Sequence, residues 1–265
     1  MNYLIQHKNQ LMIFLKELKE ILEKNNLWYI AEFGTQLGAV REHDMIEWDD
    51  DIDLGISIET YNFLKKHYPE NVLDTDQEGY PFLFPKWVPN KSKFLESDLF
   101  IDIFIIVPTT LKRIEKYKSN LTIYRFSNQM FNKGSKYKPT DGLGKFLKYL
   151  LWPIQWSSKK ITTQDSLNLL HEKEKPELNF LINLPILPKK HIDGQNKRPL
   201  NIWERKKVKF SDTEIYVPIE YDYCLKLSYG DNYMTPIKTS RARRHIDTIN
   251  SIPVLKIEKM ENGRK

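Results

Sequence analysis

The sequence predicts an α+β protein, a mixed β-sheet core flanked by helices, and three stretches carry that prediction. Residues 3 to 24 place Leu4, Leu11, Phe14, Leu15, Leu18, Ile21 and Leu22 at helical spacing, with Lys and Glu between them. DIDLGISI (51–58) alternates with the period of a strand. LFIDIFIIV (99–107) is apolar everywhere except Asp102, the pattern of a strand covered on both faces.

The elements follow in order. The first helix stops at Asn25-Asn26, where two residues with poor helix propensity fall together. LWYIAEF (27–33) predicts a short buried strand and TQLGAVRE (35–42) the helix after it. ETYNFLKKHY (59–68) reads as a helix, and Pro69 follows it. A further helix is expected over 111–132 and another over 162–173. The last stretch predicts strands at 207–210 and 214–217, a helix near 220–229, and a turn in YGDNYMTP. The resulting organisation is a catalytic core with its N-terminal helix over 1–110 and a largely helical insertion over 111–200. A C-terminal extension, 201–265, completes the fold and the site.

Composition narrows the class. With 265 residues and 12% aromatic content the chain can bury a core and is not a disordered one. Its formal net charge of +6 favours anionic partners without choosing among them. Cys224 is the only cysteine, so an internal disulfide and a cysteine-built metal cage are excluded and a reducing compartment is expected. LMIFL (11–15) is too short for a signal peptide core, and no stretch reaches membrane-spanning length. A cytoplasmic protein is therefore expected. GLGKFLKYLLWPIQWSSKK (142–160) mixes apolar residues with lysines and suits either a helix pair over the core or peripheral contact with the inner face of the membrane. The basic runs ERKKVK (204–209) and RARR (241–244) come with no nucleic-acid motif, so no nucleic-acid partner is expected.

The chemistry concentrates in FGTQLGAVREHDMIEWDDDIDLGI (33–56), where four aspartates fall within positions 49 to 53. On an extended chain Asp51 and Asp53 leave the same face, while Ile52 and Leu54 point into the core. Two carboxylates side by side repel unless a cation neutralises them, and Mg²⁺ (or Mn²⁺) with phosphate oxygens meets that need. Asp102, a lone carboxylate in an apolar strand, calls for the same partner. These three are the expected metal ligands and catalytic residues. A calcium loop is excluded because Leu54 stands where that loop needs glycine and Thr60 where it needs glutamate. Gly34 allows close backbone approach to a phosphate, and Thr35 offers a hydroxyl and a helix N-terminal amide. Arg41 is a candidate for phosphate, for an aspartate, or for a structural ion pair. Asp49 and Asp50 orient the site or bind metal. A quaternary ammonium cargo would want aromatic faces, for which Trp48, Tyr80 and Trp87 are candidates.

A strand, Gly-Thr, a helix, Asp-Ile-Asp on a strand and a third Asp on another strand together resemble the nucleotidyltransferase fold. GTQLGAVREHDMIEWDDDIDLGI resembles more narrowly the signature of the LicD/fukutin-related family. Further similarity lies in FPKWVPNKSKF (84–94), IDIFII (101–106), VKFSDTEIYVP (208–218) and LSYGDNYMTP (227–236). Gln36 and Glu42-His43-Asp44 depart from the family's usual residues, and the zinc module of metazoan members has no counterpart. The resemblance implies transfer of a phosphorylated alcohol from a CDP-activated donor to a sugar hydroxyl. For this chain that means CDP-choline as donor, a surface glycan (lipid-linked or not) as acceptor, and CMP as product. It also implies Lys86 in FPKW as a phosphate ligand or a surface lysine, and His245 as a residue reaching donor or acceptor. The rival readings are transfer of ribitol or glycerol phosphate, transfer of a nucleotide from an NTP, and a scaffold without turnover.

Overall fold

The computed structural model describes residues 3–77, 80, 82–93, 98–120, 161–183 and 196–236. The first helix, α1 (Tyr3–Lys24), buries Leu11, Leu15, Leu18 and Leu22 completely or nearly so. That stripe is the one its heptad-like spacing predicts, and it forms one wall of the main core.

Strand β1 (Tyr29–Ala31) leads directly into α2 (Phe33–Arg41), and β2 (Asp53–Ile56) into α3 (Ile58–His67). The alternation of DIDLGISI continues past the end of β2 because Ser57 turns the chain. Its hydroxyl accepts the backbone N–H of Thr60 at 3.2 Å and caps α3. Short strands β3 (Val72–Leu73) and β4 (Lys86–Trp87) precede β5 (Ile101–Thr109), the longest among the described residues. After α4 (Leu111–Asn120) and α5 (Thr163–Leu170) come β6 (Leu178–Leu181) and β7 (Lys197–Arg198). The hairpin of β8 (Arg205–Phe210) and β9 (Thr213–Pro218) is followed by α6 (Tyr221–Tyr229). Residues 111–200 therefore contribute strands β6 and β7 as well as helices. The segment 142–160 and the second half of the helix expected over 111–132 lie outside the described residues.

The seven-stranded sheet has the order β1-β2-β5-β4-β3, with β6 pairing the far half of β5 and β7 beyond it. It is mixed: β2 and β5 run parallel, and every other neighbouring pair is antiparallel. β5 is buried on both sides, as its unbroken apolar run predicts. Ile101, Ile103, Ile105 and Val107 enter the main core with Ile52, Leu54 and the α1 stripe. Phe104 and Ile106 enter a second cluster with Ile30, Phe84, Leu181, Ile202 and Cys224. Asp102 shares the face of Phe104, at the end of β5 where that second layer gives out.

Candidate active site

The site is a row across three strands. Asp53 opens β2, and its Cα partner on β5 is Asp102. On the other side of Asp102, the Cα partner on β4 is Lys86. Cross-strand partners project from one face, so this register alone sets two carboxylates and an ammonium side by side. Asp51, two residues before Asp53, joins them from outside the strand. Carboxylate oxygens of Asp51, Asp53 and Asp102 all lie within 4.8 Å of one another, and all three residues are buried. Asp49, Asp50 and Asp51 make a second such group, which shares Asp51. The donors are hard oxygens without sulfur, a set suited to Mg²⁺ or Mn²⁺. Burying three carboxylates together is costly unless positive charge reaches them, so the residues present fit a divalent cation.

Positive charge already reaches one of them. The Lys86 ammonium bonds Asp102 Oδ1. It also lies 3.7 Å from the ring centroid of Phe100 and within 6.0 Å of those of Phe84 and Phe82. Trp87, the next residue, points to the opposite face and packs in the main core against Tyr68. Tyr80 is buried, its hydroxyl donating to the Phe84 carbonyl at 2.8 Å. Burial pushes that hydroxyl's pKa well up, and the nearby charges of Asp102 and Asp74 push it further. Trp48 packs half-buried against Leu37, Ile46, Leu225 and Tyr233. The rings around the Lys86 ammonium are thus those of phenylalanines 82, 84 and 100.

The turn into α2 is tightly built. Phe33 has φ of 43°, a conformation costly for a bulky residue, at the point where the strand becomes a helix. Its ring packs edge-on to Phe104 at 5.0 Å. Glu32 supplies no side-chain cap to α2. Its carboxylate is instead held by Arg198 through bonds of 3.0 and 2.7 Å, with both side chains essentially inaccessible. Gly34 is where close approach occurs: a Cβ there would stand 2.4 Å from Asp49 Oδ2. The Asp49 carboxylate therefore lies against the first turn of α2, where the helix dipole favours negative charge. Thr35 accepts the backbone N–H of Asp53 at 2.8 Å.

The acidic loop is fixed from behind by α1. Lys8 donates to the carbonyls of Ile46 at 2.6 Å and Glu47 at 3.1 Å, and His7 Nε2 lies 2.9 Å from the Asp50 carbonyl. Burial lowers the Lys8 pKa, against the raising influence of Asp49 and its acidic neighbours. Arg41 bonds Glu42 at 2.7 Å and the Tyr233 carbonyl at 2.9 Å, the structural ion pair among its candidate roles. It ties α2 to the turn after α6. His245 and the RARR run lie outside the described residues.

The sequence reading missed Tyr229, the last residue of α6. Burial of its hydroxyl raises the pKa far above that of an ordinary phenol, and Asp53, Asp49 and Asp51 raise it further. Almost half the residue's surface is exposed, 44%. The C-terminal segment thus brings Tyr229 within electrostatic reach of the carboxylates. Its signal in the sequence is LSYGDNY, where Gly230 with φ of 84° ends the helix directly after it.

The chain is similar to proteins of two Rickettsia species. An uncharacterized protein of Rickettsia prowazekii (strain Madrid E) is 29% identical over 155 residues, covering 54% of this chain and 55% of the relative. An uncharacterized protein of Rickettsia typhi (strain ATCC VR-144 / Wilmington) is 30% identical over 152 residues, covering 54% and 46%. The chain thus spans about half the length of the curated relatives it matches. Residues 26–132, which hold Gly34, Thr35, the four aspartates of the loop, Lys86 and Asp102, match the family described as LicD/FKTN/FKRP, nucleotidyltransferase domain, and this segment of the chain is a LicD-family domain.

Proposed function

We propose that the protein is a metal-dependent phosphotransferase that moves phosphocholine from CDP-choline to a hydroxyl of a cell-surface glycan and releases CMP. Members of the LicD family are generally transferases, and glycan phosphotransfer is the function the family suggests. The observation that carries the reading is the convergence of Asp51, Asp53 and Asp102, with carboxylate oxygens within 4.8 Å, at the end of a parallel strand pair. The nucleotidyltransferase-like arrangement belongs to the same proposal.

Phosphoryl-group transfer asks a protein chiefly for positioning and for neutralisation of charge. A divalent cation on the three aspartates would neutralise the diphosphate and stabilise the charge that develops on the leaving phosphate. Gly34 and the first amides of α2 receive donor phosphate, in the place where Asp49 now lies. The acceptor's hydroxyl oxygen forms a bond to the phosphorus of the phosphocholine group as the bond to the CMP oxygen breaks. The hydroxyl proton passes to a carboxylate of the site, with Asp102 as the base. Lys86 is within the same row to pair with phosphate. Phe84 and Phe100 are buried and face the Lys86 ammonium, so of these rings half-buried Phe82 is the one with open aromatic surface beside the charge row for a quaternary ammonium cargo.

Incubation of the purified protein with CDP-choline, Mg²⁺ and glycan acceptor tests the reading. CMP release without pyrophosphate, lost in Asp53→Asn, is the expected result. CMP release from CDP-ribitol or CDP-glycerol alone would change the cargo, and pyrophosphate release from an NTP would replace the reading with nucleotide transfer. Unchanged glycan modification in cells carrying Asp53→Asn would leave a scaffold. The donor and acceptor partners, and any contact with the inner membrane face, belong to this proposal. Among the described residues, no helix is long and apolar enough to cross a membrane.

A further inference from the structure

We propose that Lys86 is an exchangeable counter-ion of the carboxylate site, holding Asp102 when no metal is bound and released from it when a divalent cation arrives. The inference rests on the metal-dependent reading above and extends it to a residue that competes with the metal. Three observations carry it. Register places Lys86 in the same cross-strand row as Asp53 and Asp102, so its position is set by the sheet. Its ammonium bonds Asp102 Oδ1, one of the residues whose oxygens converge with those of Asp51 and Asp53. The ammonium also rests on the face of Phe100 and near those of Phe84 and Phe82, with the side chain only 12% exposed.

A cation bonded to that oxygen and a second cation held by the same carboxylates repel each other strongly at such range. That repulsion disfavours their sharing Asp102. The lysine stem is flexible, and the aromatic wall offers a surface along which the ammonium shifts without leaving favourable contact. The direction of the shift follows from charge: a diphosphate bound with the metal attracts the ammonium that the metal displaces. Lys86 thus partly neutralises Asp102 when no cation is bound and becomes a phosphate contact when metal and diphosphate are bound. Metal and nucleotide each favour the released position, so each strengthens the binding of the other.

The test is Mn²⁺ binding to the full-length protein without nucleotide, measured by calorimetry or by the loss of free-ion paramagnetic signal. Lys86→Met keeps the apolar stem and removes the charge, and should bind Mn²⁺ about tenfold more tightly than wild type, as expected when a neighbouring positive charge is deleted. Lys86→Arg keeps the charge and should stay close to wild type. CDP-choline should tighten Mn²⁺ binding in the wild type more than in Lys86→Met. Should Lys86→Met not fold, Lys86→Gln gives the same comparison. Equal or weaker Mn²⁺ binding by the uncharged variant overturns the exchange, while the metal site itself stands. Absence of Mn²⁺ binding in wild type and variant alike overturns the metal-dependent reading instead.

Discussion

The hydroxyl of Thr35 accepts the backbone N–H of Asp53 at 2.8 Å, joining the first turn of α2 to the start of β2. Thr35, the residue after Gly34, is therefore a strut that fixes where Asp53 enters the sheet. Thr35→Val keeps the shape and removes the acceptor, which leaves a buried N–H unsatisfied at a cost of about 1–3 kcal/mol. Chemical denaturation should show that loss, with weaker Mn²⁺ binding beside it, and Thr35→Ser should restore both. A Thr35→Val protein as stable as wild type would show that the bond contributes nothing.

Gly34 separates fold from function differently. The atoms nearest to its added Cβ all belong to the Asp49 carboxylate, the end of a side chain and not backbone. Gly34→Ala should therefore melt within a few degrees of wild type, since a change below about 1 kcal/mol moves the midpoint little. Donor binding should weaken, because a methyl group now stands where phosphate approaches. Titration with CDP-choline in Mg²⁺ checks this, and wild-type affinity in the alanine variant would remove Gly34 from the phosphate site.

The Glu32–Arg198 pair supports the turn from the buried side. Breaking one partner leaves an uncompensated charge in the interior, so Glu32→Gln or Arg198→Met alone should cost about 3–5 kcal/mol. Glu32→Leu combined with Arg198→Met removes both charges and should recover most of that loss, since apolar replacement of a buried pair is often close to neutral. A denaturation series on the two single variants and the double decides it. Additive losses in the double variant would mean that packing, and not charge, is what the pair supplies.

Cys224 gives a prediction with a pH sign. Burial pushes its thiol up to about 12 from an ordinary 9.0, with the Arg198 guanidinium opposing. As pH rises from 9.0 toward about 12 the unfolded chain gives up this proton while the folded chain keeps it, so stability from this group falls across that window. At lower pH the group contributes fully. A thiol reagent applied near neutral pH should label the folded protein far more slowly than the denatured one, since the thiolate is the nucleophile. Equal labelling rates would show the thiol to be accessible and ordinary.

Long patterns were legible in the sequence and short ones were not. α1 and β5 follow directly from spacing, and the convergence of Asp51, Asp53 and Asp102 follows from alternation plus the cost of a buried carboxylate. The end of β2 was misplaced because Ser57 and Ile58 continue the strand alternation, and only the cap on Thr60 reveals the helix. β3, β4 and β7 are two residues each, too short to show any period. Lys86 stood out by motif, yet its ion partner became visible only from the register of β4 on β5. Trp48, Tyr80 and Trp87 were attractive as aromatic faces near motifs. Trp48 packs against an apolar cluster, and Tyr80 and Trp87 are buried in cores, while the rings around the Lys86 ammonium are phenylalanines from two different segments. Tyr229 comes within electrostatic reach of the aspartates through the packing of α6 on α2, a long-range contact that no local pattern encodes.

The most direct measurement is anomalous diffraction from a crystal of the protein soaked with Mn²⁺ and CDP-choline. The account predicts a manganese peak coordinated by Asp51, Asp53 and Asp102, with the donor diphosphate on the same ion and the Lys86 ammonium off Asp102. Manganese bound elsewhere, or Asp102 turned away from an ion held by the loop aspartates alone, would contradict it.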